Sequence, residues 1–123
     1  MSSEPGPYIF RDRRCPLGYF VTLTKKTWEY HILHRHDDDL LHREEDVGFT
    51  IIDPERIYQN HQKGRENFVY WKVFPDQLPY QRVLKVSTWL KYPYGREAIV
   101  TTAVNKPEIV SPYVRDGEKQ VWP

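Results

Sequence analysis

Apolar side chains recur every three or four positions in two stretches of the N-terminal half, which is the spacing of an amphipathic helix. The first stretch predicts a helix over residues 25–36, with Thr24 as its N-cap. Its apolar face holds Trp28, Ile32, Leu33 and His36, and His31 and Arg35 border that face. The second stretch covers residues 40–52 and ends at Asp53-Pro54, because the residue before a proline disfavours helical geometry.

Aromatic and β-branched residues indicate strands in the rest of the chain. These strands are predicted at residues 18–23, 67–74, 81–90 and 97–104. Alternation in the last one should place Thr102 on the same face as Val100 and Val104, opposite Ile99, Thr101 and Ala103. We therefore expect an α+β fold in which two N-terminal helices pack on a roughly four-stranded antiparallel sheet.

The chain of 123 residues is long enough for one hydrophobic core. Residues 1–18 are predicted to form a leader with a possible short strand, and residues 19–104 form the single folded domain. Residues 105–123 contain three prolines and no periodic pattern, so we expect an irregular tail there.

Charge and cysteine content exclude several classes of protein. The 18 basic and 17 acidic side chains give a net charge of +1, so the chain is not a globally basic nucleic-acid binder. A single cysteine, Cys15, excludes an intrachain disulfide and a zinc site with several cysteines. No apolar run has the length of a membrane helix, and the first residues do not resemble a signal peptide. We expect a cytoplasmic protein with no membrane partner.

Four of the five histidines lie within twelve residues, at positions 31, 34, 36 and 42. They fit three hypotheses: ordinary core and surface histidines, a metal site, or acid–base chemistry. His31 and His34 have the spacing of two metal ligands, but no third ligand is visible, so we expect neither a metal nor another cofactor. In the acid–base hypothesis, Arg35 or Lys72 holds a phosphate and Thr101 or Thr102 donates a hydrogen bond to it. Spacing alone favours structural roles for Lys72 and the threonines.

Several short motifs, taken in order, resemble the phage-associated barnase–EndoU–colicin E5/D–RelE-like nuclease family. The resemblance covers about residues 20–104. Its motifs are Val21-Thr22-Leu23-Thr24, Trp28, His31-Ile32-Leu33, Arg35-His36, Ile51-Ile52-Asp53-Pro54, Ile57, Tyr70 to Lys72, Leu84-Lys85-Val86 and Thr102-Ala103.

The resemblance implies metal-independent RNA cleavage by an endoribonuclease with a toxin-like or phage-associated role. His31 and His36 would be the acid and base, Thr102 the strand hydroxyl, and Arg35 and Lys72 the phosphate ligands. RNA is then the expected substrate, and an antitoxin or immunity-type protein a further possible partner.

Two features depart from the family and indicate an alternative function. Asp37-Asp38-Asp39 stands where similar sequences usually have a Pro-Glu step, and three carboxylates would repel a phosphate. Active ribonuclease toxins also tend to be more basic than this chain. The alternative is a catalytically inactive binding or regulatory domain on the same fold. A metal-dependent hydrolase is the third hypothesis.

Overall fold

Seven strands form one mixed sheet in the computed structural model, which describes residues 7–62, 65–91, 95–109 and 119–123. The side chains of residues 36–39, 61, 62 and 65 are outside this description. The strands are β1 (Tyr8–Arg14), β2 (Phe20–Thr24), β3 (Arg56–Gln62), β4 (Arg65–Val73), β5 (Val83–Leu90), β6 (Glu97–Lys106) and β7 (Lys119–Trp122). Their order in the sheet is β1-β2-β6-β5-β4-β3-β7. The pair β2–β6 is parallel, and the other five pairs are antiparallel.

The predicted four-stranded antiparallel sheet is therefore wrong. The meander β4–β5–β6 follows the predicted strands closely. Strand β1 lies in the segment predicted as a leader with a possible short strand, and β3 lies where the sequence indicates a short strand or a loop. Both strands are rich in polar side chains, so their pattern resembles a loop, and pairing with β2 and β4 makes them strands. The segment predicted to be an irregular tail likewise contains β7, which pairs with β3.

An uninterrupted run of helix spans residues 25–40 and is called the first helix below. It consists of α1 (Lys25–Thr27), a π-helical segment (Trp28–Ile32) and α2 (Leu33–Leu40). The predicted N-cap is confirmed, because the Thr24 hydroxyl accepts a hydrogen bond of 3.1 Å from the backbone N–H of Thr27. The second helix is α3 (Glu44–Ile52), which has three carboxylates in its first turn. That placement suits the positive end of the helix dipole.

The main core lies between the helices and one face of the sheet, called the helix-side face below. Fully buried residues of this core include Val21, Leu23, Ile32, Val47, Ile51, Tyr70, Leu84, Val86 and Ala103. Helix α3 contacts β1 at one edge of the sheet and also β4 and β5 farther across it. Helix α3 therefore packs over several strands, and only Glu45, Phe49 and Ile52 of this helix are exposed.

The opposite, open face of the sheet carries a second, smaller apolar cluster. Tyr58, Val69, Trp71 and Val83 are buried there, and Ile109 packs against them. None of the described helices is long and apolar enough to cross a membrane.

Candidate functional site

The first helix places a continuous set of polar side chains in solvent. Trp28 and Ile32 are buried against the sheet, so the residues between and beside them point outward. The exposed residues are Lys25, Lys26, Glu29, Tyr30, His31, His34 and Arg35. We call this set, without Glu29, the basic face. His31 and Arg35, predicted at the border of the packed face, are both exposed on it.

Thr102 lies on the other side of the sheet. Its neighbour Ala103 is fully buried in the helix-side core and pairs with Val86, whereas Thr102 pairs with Ser87 and is exposed. Adjacent strand residues point to opposite faces, so Thr102 is on the open face.

The predicted alternation of β6 fails at a β-bulge. The register between β5 and β6 shifts between Ser87 and Thr88, and Thr101 is the extra residue on β6. The Thr101 hydroxyl donates a hydrogen bond of 3.2 Å to the Ser87 carbonyl. As a result, Val100 and Ala103 share the helix-side face, and Thr102 does not point the same way as Val100.

Lys72 is on the helix-side face, with its ammonium group already bound. Nζ donates to the Asp53 carbonyl at 2.7 Å and lies 3.2 Å from the Asp53 carboxylate and 3.7 Å from that of Glu55. It also sits 4.6 Å from the centre of the Phe49 ring. Only 9% of the Lys72 side chain is exposed. These contacts join the end of α3 to the start of β3, and two carboxylates already neutralise the charge that a phosphate would need.

Among the proposed site residues with described side chains, the structure does not bring all four, His31, Arg35, Lys72 and Thr102, together around one space. The sheet separates Thr102 from His31 and Arg35, and Lys72 is bound to carboxylates at the end of α3. The side chain of His36 lies outside the described residues, as do those of the three aspartates that follow it. Their proposed roles in catalysis therefore stay predictions.

Charge segregation is the feature that the sequence reasoning missed. Residues 7–36 hold six Lys or Arg and only two Asp or Glu, whereas residues 37–55 hold eight Asp or Glu and a single Arg. The net charge of +1 hides these two oppositely charged segments, because their charges largely cancel in the sum. A count along the chain in windows would have revealed them.

A cleft of about 280 Å³ opens on the sheet where β1 carries a bulge. It is lined by Tyr8, Arg11, Asp12, Thr22, Thr24, Lys91, Glu97, Ala98 and Ile99. Asp12 adopts a φ of 55° at the bulge, and its N–H donates to the Thr22 hydroxyl at 3.1 Å. Two cations and two carboxylates line this cleft, so its charge does not favour an anion over a cation.

The described residues do not form a metal-binding group. No group of three or more His, Cys, Asp or Glu is placed to hold a metal within the part of the chain that the structure describes. Burial raises the pKa of the Tyr70 hydroxyl well above its ordinary value, and the nearby Cys15 thiol adds to the effect. Tyr70 is fully buried and belongs to the core.

Comparisons of the chain with models of protein families, with curated proteins and with solved structures found no match. The resemblance to the nuclease family rests on the motifs quoted above.

Proposed function

We propose that this protein is a non-catalytic RNA-binding domain, and that the basic face of the first helix is its RNA contact. The observation that carries the proposal is the exposure of three fixed cations, two histidines and a tyrosine over residues 25–35 of the first helix, with Glu29 as the one described carboxylate among them. Asp37, Asp38 and Asp39 follow this segment, so the proposed contact ends at Arg35. This is the binding alternative to the nuclease on the same chain.

The cations have a spacing that suits a polyanion. Lys26 and Arg35 are nine residues apart on the first helix, which places them on the order of 10 Å apart along its axis, enough to contact more than one phosphate. Their positive charge has no described ion-pair partner to compete with RNA, in contrast to Lys72. Binding through such contacts releases counterions and weakens as salt is added.

Tyr30 adds an exposed aromatic ring to the cations of the basic face. Its side chain is 69% exposed, although tyrosine rings usually bury much of their apolar surface. It lies between the cations Lys26 and Arg35 along the helix. An aromatic ring flanked by cations is the arrangement on which bases of single-stranded RNA stack. The ring and the cations together therefore suit a single-stranded RNA.

The geometry supports binding more than cleavage. Transfer of a proton to and from RNA needs two groups within hydrogen-bond reach of one ribose and phosphate. Thr102 is on the far face of the sheet and Lys72 is bound to carboxylates, so neither faces His31.

Fluorescence anisotropy with a labelled single-stranded RNA tests the proposal. Lys26→Glu/Arg35→Glu should lower affinity at least tenfold and reduce the slope of log K against log salt by about 1.4, the value for two lost phosphate contacts on a single strand. Arg82→Glu/Lys119→Glu is the matched control, because it removes the same charge at exposed positions elsewhere and should bind almost as well as wild type. Equal weakening in both variants would contradict the proposal.

The same samples distinguish binding from cleavage when the RNA is analysed on a denaturing gel in the presence of a chelator. We expect intact RNA with wild-type protein. Cleavage that His31→Ala abolishes and Arg82→Glu preserves would instead establish the nuclease hypothesis.

A further inference from the structure

Helix α3 exposes an apolar stripe within an acidic surface. Glu45, Phe49 and Ile52 follow one another at spacings of four and three residues, so they lie on one side of the helix. Phe49 is 48% exposed and Ile52 is 43% exposed. Together with Glu44, which is half-buried beside them, these residues are called the acidic face below.

The exposed Phe49 ring of the acidic face is held in place by a neighbouring side chain. The Lys72 ammonium sits 4.6 Å from the centre of the Phe49 ring and is itself fixed by Asp53. The ring is thereby positioned from the inside while nearly half of it stays in solvent. An ordered, exposed aromatic side chain loses little conformational freedom when a partner covers it.

We propose that the acidic face binds the basic face of a second copy of this chain. Charge complementarity identifies this occupant: one copy offers Lys25, Lys26 and Arg35, and the other offers Glu44 and Glu45. Tyr30 on the basic face supplies an exposed ring that can cover Phe49 and Ile52. Opposite charges around a small apolar centre are the usual composition of a specific protein contact.

Both faces belong to the helix layer, on the same side of the sheet. Two copies related by a two-fold axis can therefore form the contact twice, once in each direction. The apolar area is small, so the dimer is weak and sensitive to salt. The inference does not depend on RNA, because it concerns protein alone, although it uses the same basic face.

Sedimentation velocity over a range of protein concentrations, at low and high salt and without RNA, tests the dimer. Wild-type protein should shift from monomer to dimer as its concentration rises at low salt and stay monomeric at high salt. Glu44→Lys/Glu45→Lys makes both faces basic, and Lys26→Glu/Arg35→Glu makes both faces acidic. Each variant alone should be monomeric, and an equal mixture of the two should form the heterodimer.

A matched pair separates this contact from general attraction between oppositely charged proteins. Arg82→Glu/Lys119→Glu changes the net charge as much as Lys26→Glu/Arg35→Glu but leaves the basic face intact. Mixed with Glu44→Lys/Glu45→Lys, it should show several-fold weaker association than the face-reversed pair. Equal association of the two mixtures would overturn the proposal, and so would a wild-type protein that stays monomeric at every concentration.

Phe49→Gln/Ile52→Gln provides a variant with no change of charge, and it also covers the case in which the charge reversals do not fold. With a folded circular dichroism spectrum, it should remain monomeric where wild type dimerises. Unchanged dimerisation would overturn the role of the apolar stripe. Loss of RNA binding in the anisotropy assay would leave all these results unaffected, so the two proposals can fail separately.

Discussion

The two helices pack on the same side of one sheet, yet the surfaces that they expose to solvent differ in charge. Residues 25–35 of the first helix bury Trp28 and Ile32 and expose mainly cations, histidines and a tyrosine. Helix α3 buries Val47 and Ile51 and exposes carboxylates with two apolar side chains. Both helices pack apolar side chains into the core. They differ only in the side chains that they expose to solvent.

This difference indicates where function is encoded in the chain. The core residues of both helices can be replaced by other apolar side chains of similar volume, because such side chains would still pack the helix against the sheet. The exposed residues contribute little to folding, so their segregation into a basic and an acidic set needs a reason outside folding. Binding of RNA and of a second copy are the reasons proposed here.

Trp28→Ala tests whether Trp28 holds the first helix, and with it the basic face, against the sheet. It should have the largest effect on stability. The Trp28 side chain is 3% exposed, so truncation leaves a large cavity under the first helix. We expect the free energy of unfolding in urea to fall by about 3–5 kcal/mol. Tyr30→Ala is the control on the same helix and should change stability by less than about 0.5 kcal/mol. Equal losses in the two variants would show that the first helix is not seated as described.

Lys72→Met tests the connection at the end of α3. The substitution keeps the aliphatic packing and removes the ammonium group from Asp53, Glu55 and the Phe49 ring. The carboxylates left behind, on side chains that are 63% exposed at Asp53 and 42% exposed at Glu55, can be hydrated, so we expect a loss of about 1–2 kcal/mol in the free energy of unfolding. RNA affinity should stay within twofold of wild type. A large loss of RNA affinity with unchanged stability would restore Lys72 as a phosphate ligand.

Local patterns in the sequence were sufficient for the elements that bury one face. The apolar spacing around Trp28 predicted the first helix, and its cap at Thr24 is confirmed. The apolar strands of the meander β4–β5–β6 were also predicted near their observed positions. In each case the apolar residues that are buried in the element also form the periodic pattern that predicts it.

Contacts between distant residues were not predictable. The polar residues of β1 and β3 indicate at most a possible short strand, so the length and partners of these strands were not predicted. The parallel pairing of β2 with β6 joins segments far apart in the chain. The bulge at Thr101 depends on pairing with β5, and it moved Thr102 to the open face. Likewise, Lys72 reads as a free cation until folding brings Asp53, nineteen positions earlier, to its side. These contacts keep Lys72 and Thr102 away from His31 and Arg35.

Tyr70→Phe probes the core that both helices share, and at neutral pH it should have the smallest effect. The Tyr70 hydroxyl approaches Cys15 and Thr88 but meets the geometry of a hydrogen bond with none of the described residues. Its loss at pH 7 should therefore change stability by less than about 1 kcal/mol.

The difference in stability between wild type and Tyr70→Phe should emerge in alkali, because burial raises the pKa of Tyr70 in the folded protein above its value in the unfolded chain. Above about pH 10 an unfolded tyrosine releases its proton while the folded one keeps it, so the stability of wild type falls as pH rises. Tyr70→Phe lacks this proton, and its urea midpoint should fall less between pH 9 and pH 11, a range around the ordinary tyrosine pKa. Tyr30→Phe, altered at an exposed ring, should follow the wild-type curve. Parallel curves for wild type and Tyr70→Phe would mean that the Tyr70 hydroxyl reaches water, and that the core beneath the two helices is less closed than its contacts indicate.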